Sequence, residues 1–213
     1  MITSICKFII SLFGGNIVLA TMFVSMVPFF ELKTGIPFAM NAEFWDKPLG
    51  AWEALAFALI GCLVVTVLLA LVFKPIYEKI KDKKFFKSIV SFFTASAIKK
   101  KEDLDKKHEE KSKSRQLVLK MLGVFLFVAI PVPGTGVWTG TILAVLLGLG
   151  FWKSVIAVTL GNICAGLVIM FICSIFPEIT TILIGIFAAI VILYLIYKII
   201  VHCIKKKKVQ EIQ

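Results

Sequence analysis

Apolar residues run along this chain in long unbroken blocks, not in the alternation of a half-buried strand or the single stripe of a surface helix. Five stretches carry no Asp, Glu, Lys or Arg: Phe8 to Phe30, Ala54 to Phe73, Met121 to Trp152, Ser154 to Pro177 and Ile179 to Tyr197. A helix crossing the hydrocarbon core of a bilayer needs about 20 such residues, so 54–73, 154–177 and 179–197 each predict one span. The stretch Met121 to Trp152 has 32 residues and is broken by Pro131, Pro133 and Gly134. Proline cannot continue a helix interior and glycine permits a turn, so this stretch predicts two half-helices meeting near Pro131 to Gly136, a re-entrant hairpin over 121–150. A similar broken segment covers 16–48, with Pro28, Gly35 and Pro37 inside it and Glu31 and Lys33 as its only charges before Glu43.

Composition narrows the class. Of 213 residues, 59% are hydrophobic and 17% charged, against about 45–50% and 25% in soluble domains. Such a chain cannot build a polar surface and is read as an integral membrane protein, all-α and polytopic, whose principal partner is the lipid bilayer. The formal charge of +11 does not indicate nucleic acid, because 15 of the 24 basic residues fall between Lys74 and Lys120 and five more between Lys198 and Lys208. Both groups flank apolar runs, the pattern of cytoplasmic segments. The intervening segments hold Glu43, Asp46, Glu53 and Glu178 against Lys47. With Lys120 and Lys198 both inside, an even number of crossings must separate them, which requires 121–150 to dip in and return. By the same logic the segment before Ala54 enters from outside. Phe8 to Phe30 is either a full span followed by this hairpin, or a surface segment ending at Gly14-Gly15 followed by the hairpin's first arm.

The resulting organisation is a single membrane domain over 1–213: a first half at 1–73, a basic linker at 74–120, a second half at 121–197 and a basic tail at 198–213. In the linker, Ile76, Ile80, Phe85, Phe86, Ile89, Val90 and Phe93 recur at helical spacing among lysines, a basic amphipathic helix for the inner leaflet whose role is surface anchoring or recognition of anionic lipid. The halves are weakly self-similar: Trp52 and Gly61 stand opposite Trp152 and Gly161 at an offset of 100, and Gly35 opposite Gly136 at 101. Two broken segments entered from opposite faces, each followed by a span, make an inverted repeat, an arrangement found in transporters.

Candidate chemistry lies at the breaks. Glu31 and Lys33 are charges at membrane depth, which line cavities or relay protons, or else sit at the outer interface and pair there. Gly35 and Pro37 shape that break. At Pro131, Pro133, Gly134, Thr135 and Gly136, backbone N–H groups opening a helix would attract an anion, while Gly136 and Gly140 also suit close helix packing and a homodimer face. Asn162 needs a hydrogen-bond partner in lipid, from a neighbouring helix or a solute. Five Cys are an odd number inside or beside apolar runs and imply no disulfide framework. His108 and His202 have no ligands at metal spacing, and no nucleophile, catalytic dyad or cofactor motif is present, so no metal, cofactor or enzymatic activity is expected.

The pairing of Pro28-Phe-Phe-Glu31-Leu-Lys33-Thr-Gly35-Ile-Pro37 with Val-Ala-Ile-Pro131-Val-Pro133-Gly134-Thr-Gly136-Val-Trp138-Thr-Gly140 resembles the bacterial small multidrug export protein family, and through it the DedA superfamily. The likeness covers about Val27 to Gly166. It implies a multi-pass plasma-membrane protein with two re-entrant hairpins and a transport role. The residues themselves point to a small amphipathic or anionic solute, with Glu31, if buried, as a candidate proton-coupling carboxyl. The DedA likeness implies translocation of a polyprenyl phosphate or another phospholipid between leaflets. A scaffold that acts through its linker and transports nothing is the remaining expectation. The family pattern reads Glu-x-Arg, whereas this chain has Lys33.

Overall fold

The computed structural model describes residues 2–80, 109–132 and 134–186, with positions 189 and 193. The second part of the stretch 179–197, the basic tail, Pro133 and most of the linker, including the helix expected there beyond Ile80, lie outside the described residues. Among the described residues the protein is all-helical, with no strand. The helices are α1 Ile2–Leu12, α2 Ile17–Met26, α3 Glu31–Met40, α4 Ala51–Ile80, α5 Glu109–Ala129, α6 Val137–Leu146 and α7 Phe151–Ile175; residues 179–186 begin α8.

Two described helices are long and apolar enough to cross a membrane, α4 over Ala51–Phe73 and α7 over Phe151–Ile175, or three if α1 and α2 count as one broken span. Their outward side chains are large and apolar, as lipid requires: Leu63, Leu68 and Leu71 on α4, and Ile156, Leu160 and Phe171 on α7. The chain is a membrane protein. Two of its helix starts are locally encoded. Asn16 caps α2 by accepting from the Leu19 N–H at 3.1 Å, and Glu53 in the first turn of α4 accepts from the Gly50 N–H at 3.1 Å.

The stretch from Phe8 to Phe30 is not one straight helix. α1 and α2 meet at 118°, with Gly14 and Gly15 at φ +59° and +78°, backbone that a side chain resists. The bend lies at Gly14-Gly15. After it, α2 and α3 fold back on each other so closely that the Ser25 side chain occupies the place of a Cβ on Gly35.

α5 and α6 make a second helical hairpin. Its base is closed by the Lys120 ammonium, which donates to the Leu147 carbonyl at 2.9 Å, and its tip is the break at 130–136, where Gly134 has φ +87°. The two hairpins stand at opposite ends of the molecule. The loop after α3 is tied to the segment after α7, with the Asn41 amide donating to Thr180 at 3.0 Å and Thr181 at 2.9 Å. The base of the second hairpin instead adjoins the start of α7. α4 and α7 therefore run antiparallel.

Each half packs in the same order: α2, α3 and α4 on one another, and α5, α6 and α7 on one another. Between halves α4 packs on α7, α3 on α7, and α6 on α4. Glycines set the close approaches. A methyl group at Gly61 would strike the Met22 carbonyl of α2, and one at Gly161 would lie 2.8 Å from the Phe125 carbonyl of α5. The largest buried cluster joins Leu32 and Ile36 of α3 to Ala58 and Val65 of α4, Val137 of α6 and Ala165 and Ile169 of α7. The core thus sits where the hairpins meet.

Candidate functional site

The hairpin tips touch, and the contact is polar. α6 begins at Gly136, whose lack of a side chain leaves the first turn without a local cap. The missing acceptor comes from α3: Glu31 Oε1 accepts from the Trp138 N–H at 3.3 Å, in the place an N-cap side chain would take. The glycine is required, since a Cβ there would coincide with the Glu31 carboxylate. Glu31 is held in position by its own backbone, at φ +50°, with Phe29 at φ +70° two residues before. Left-handed backbone is uncommon for a residue with a side chain, and strain of this kind clusters at functional positions.

Lys33, two residues on and fully buried, crosses the same junction. Its ammonium donates to the Val132 carbonyl at 2.8 Å and lies 3.5 Å from the Thr135 hydroxyl, with Glu31 Oε2 at 3.6 Å. Both charged side chains are nearly inaccessible, at 3% and 0% residue exposure. An ion pair so buried persists only if each partner has other polar contacts, and here the opposite hairpin supplies them. The Trp138 indole N–H adds a further tie, donating to the Met26 carbonyl at 3.0 Å.

Asn162 is a further buried polar residue, on α7; the Gly161 before it packs on Val128 of α5, which also packs on Gly140 of α6. Gly166, one turn after Asn162, faces Leu32 and Ile36 of α3. Asn162 is 1% exposed, and neither its amide nitrogen nor its amide oxygen has a hydrogen-bond partner.

The sequence candidates divide on this geometry. Glu31, Lys33, Thr135 and Gly136 meet directly, whereas Asn162 lies on α7 with no hydrogen bond to any of them. Gly134 and Pro131 form the turn that presents Val132 and Thr135. Gly35 faces α2 instead, and Pro37, inside α3, has no N–H to give to the Lys33 carbonyl. Sequence reasoning missed Val132, which contributes only its carbonyl. It also missed the two donors of Trp138, although a tryptophan in an apolar run announces an N–H that must be satisfied. Among the described residues, no three His, Cys, Asp or Glu side chains converge as metal ligands would.

The family model described as "Putative small multi-drug export protein" matches residues 31–168, well over half of the chain. The chain belongs to the small multidrug export family. The matched stretch opens at Glu31 and takes in every residue of the junction except Met26. The family's description is that of an exporter and not of an enzyme. No curated protein and no solved structure matches the chain.

Proposed function

We propose that this member of the small multidrug export family is a multi-pass transporter of the plasma membrane, with the tip-to-tip junction as its solute and coupling site. The observation that carries the reading is the pair Glu31 and Lys33, both buried and bonded across to the opposite hairpin. Charges at such depth are costly and serve solute or proton pathways. The arms α2, α3 and α6 have ten residues each, about 15 Å of helix, or half of a hydrocarbon core about 30 Å thick. Two hairpins re-entering from opposite faces then meet near the midplane.

The packing supports an inverted repeat. Gly61 on Met22 and Gly161 on Phe125 are the same contact in the two halves, as are Gly35 on Ser25 and Gly140 on Val128. The last pairing aligns Glu31 with Gly136, so the carboxylate and the glycine that receives it are symmetry mates meeting at the axis. The charges support the orientation: Glu43, Asp46, Glu53 and Glu178 stand at the end where α4 begins, Arg115, Lys120 and Lys153 at the other. With the latter end cytoplasmic, the linker and tail are inside.

The test is reconstitution into liposomes and flux of a panel of amphipathic anions and lipophilic cations. Wild type moves at least one of them, and Glu31→Gln, close to isosteric, inserts normally and loses transport. A scaffold would show no flux in either protein.

A further inference from the structure

We propose that the Glu31 carboxylate is an internal stand-in for a singly charged anionic group of the solute, and that a proton and the solute replace it together at the start of α6. This rests on the transport reading above and adds the charge of the solute and the coupling.

The groups around the carboxylate are mostly donors. The Trp138 N–H and the positive end of α6 face it, and the Lys33 ammonium lies 3.6 Å away. A cation placed here would have to expel Lys33 and face the α6 N-terminus. An anion needs only to take the place of Glu31. The side chains of Asn162 on α7 and Thr34 on α3, next to Lys33, are buried and have no hydrogen-bond partner among the described residues. Ile130 and Val132, on the flank of the tip, are 54% and 48% exposed, an apolar surface beside the junction against which the tail of a solute would stay in lipid.

Charge balance then sets the coupling. With Glu31 ionised and Lys33 protonated, the empty site is neutral. A proton on Glu31 alone leaves it at plus one, and an anion alone leaves it at minus one. Either excess is expensive at this burial. With a proton on Glu31 Oε and a monoanion at α6, the site is neutral again. Proton and anion therefore travel together, one for one, in the same direction and without net charge. Among the described residues, the titratable neighbours of Glu31 are Lys33 on its own helix and Cys62 on α4; α2 and α6 carry none, and the charged residues of α5 and α7 lie toward the far end.

The probe is octanesulfonate, whose permanent charge prevents it from carrying a proton through the bilayer as a neutral acid, with octyltrimethylammonium as the opposite probe. The full-length protein in detergent should bind octanesulfonate about tenfold more tightly for each unit of pH lowered, the slope for one proton taken up per anion. Glu31→Gln should bind it with no pH dependence and at least as tightly as wild type at the lowest pH. In proteoliposomes an inward octanesulfonate gradient should acidify the lumen at the same rate under inside-negative and inside-positive clamped potentials. Wild-type binding that ignores pH, or a rate that follows voltage, overturns the proposal whether or not the variant folds. Proton movement driven by octyltrimethylammonium and not by octanesulfonate overturns it and leaves the transport reading standing; movement of neither probe overturns both.

Discussion

Gly136 and Glu31 are complementary: the glycine leaves the space that the carboxylate fills, and the carboxylate completes the turn that the glycine leaves open. Gly136→Ala should cost about 1–3 kcal/mol through overpacking. Glu31→Ala should cost about 3–5 kcal/mol by leaving Lys33 buried without its counter-charge. Because the two act on one contact, the double variant should fall short of the sum by about 0.5–3 kcal/mol in a thermal-unfolding cycle in detergent. Strict additivity would show that the carboxylate does not sit at Gly136. Glu31 and Lys33 were legible in the sequence because a charge inside an apolar run needs a reason. The cap was not, because its acceptor stands 107 residues from its donor and a glycine at the start of a helix carries no mark of what will cap it.

At the scale of elements, Pro28 and the run from Pro131 to Gly136 announced the two breaks, but Gly35 and Pro37, expected to shape the first, lie inside α3, which opens at Glu31 because the turn is already complete at 27–30. The start of α5 was harder to read. Charge falls away at Lys120, which reads as a boundary, but backbone hydrogen bonding ignores polarity and the helix runs from Glu109 to Ala129 through it. Two glycines separate backbone need from tolerance. Gly15, at φ +78°, should lose about 1–2 kcal/mol on substitution by Ala. Gly123, inside α5 with open space around it, should gain about 0.5–1 kcal/mol from the same change. Paired unfolding midpoints check both signs, and stabilisation by Gly15→Ala would contradict the bend between α1 and α2.

For the whole molecule, the partition of charge makes a prediction about sides. A cysteine replacing Asp46 or Glu178 should react with a membrane-impermeant maleimide in intact cells, and one replacing Lys153 only after permeabilisation. Labelling of all three from one side would break the proposed arrangement. The proposed repeat has its sequence trace in Trp52 with Trp152 and Gly61 with Gly161, where the long helices keep an offset of 100. In the arms the sequence set Gly35 opposite Gly136, whereas equivalent packing pairs Ser25 with Val128 and Gly35 with Gly140, offsets that drift as the turns between helices differ in length.

One consequence concerns the order in which the protein is made. The acceptor that finishes α6 belongs to a residue 107 positions earlier, so the ribosome has already made the carboxylate when the helix that needs it is translated. The start of α6 is complete only once both hairpins are present, and a chain cut short before Trp138 leaves Glu31 without that donor.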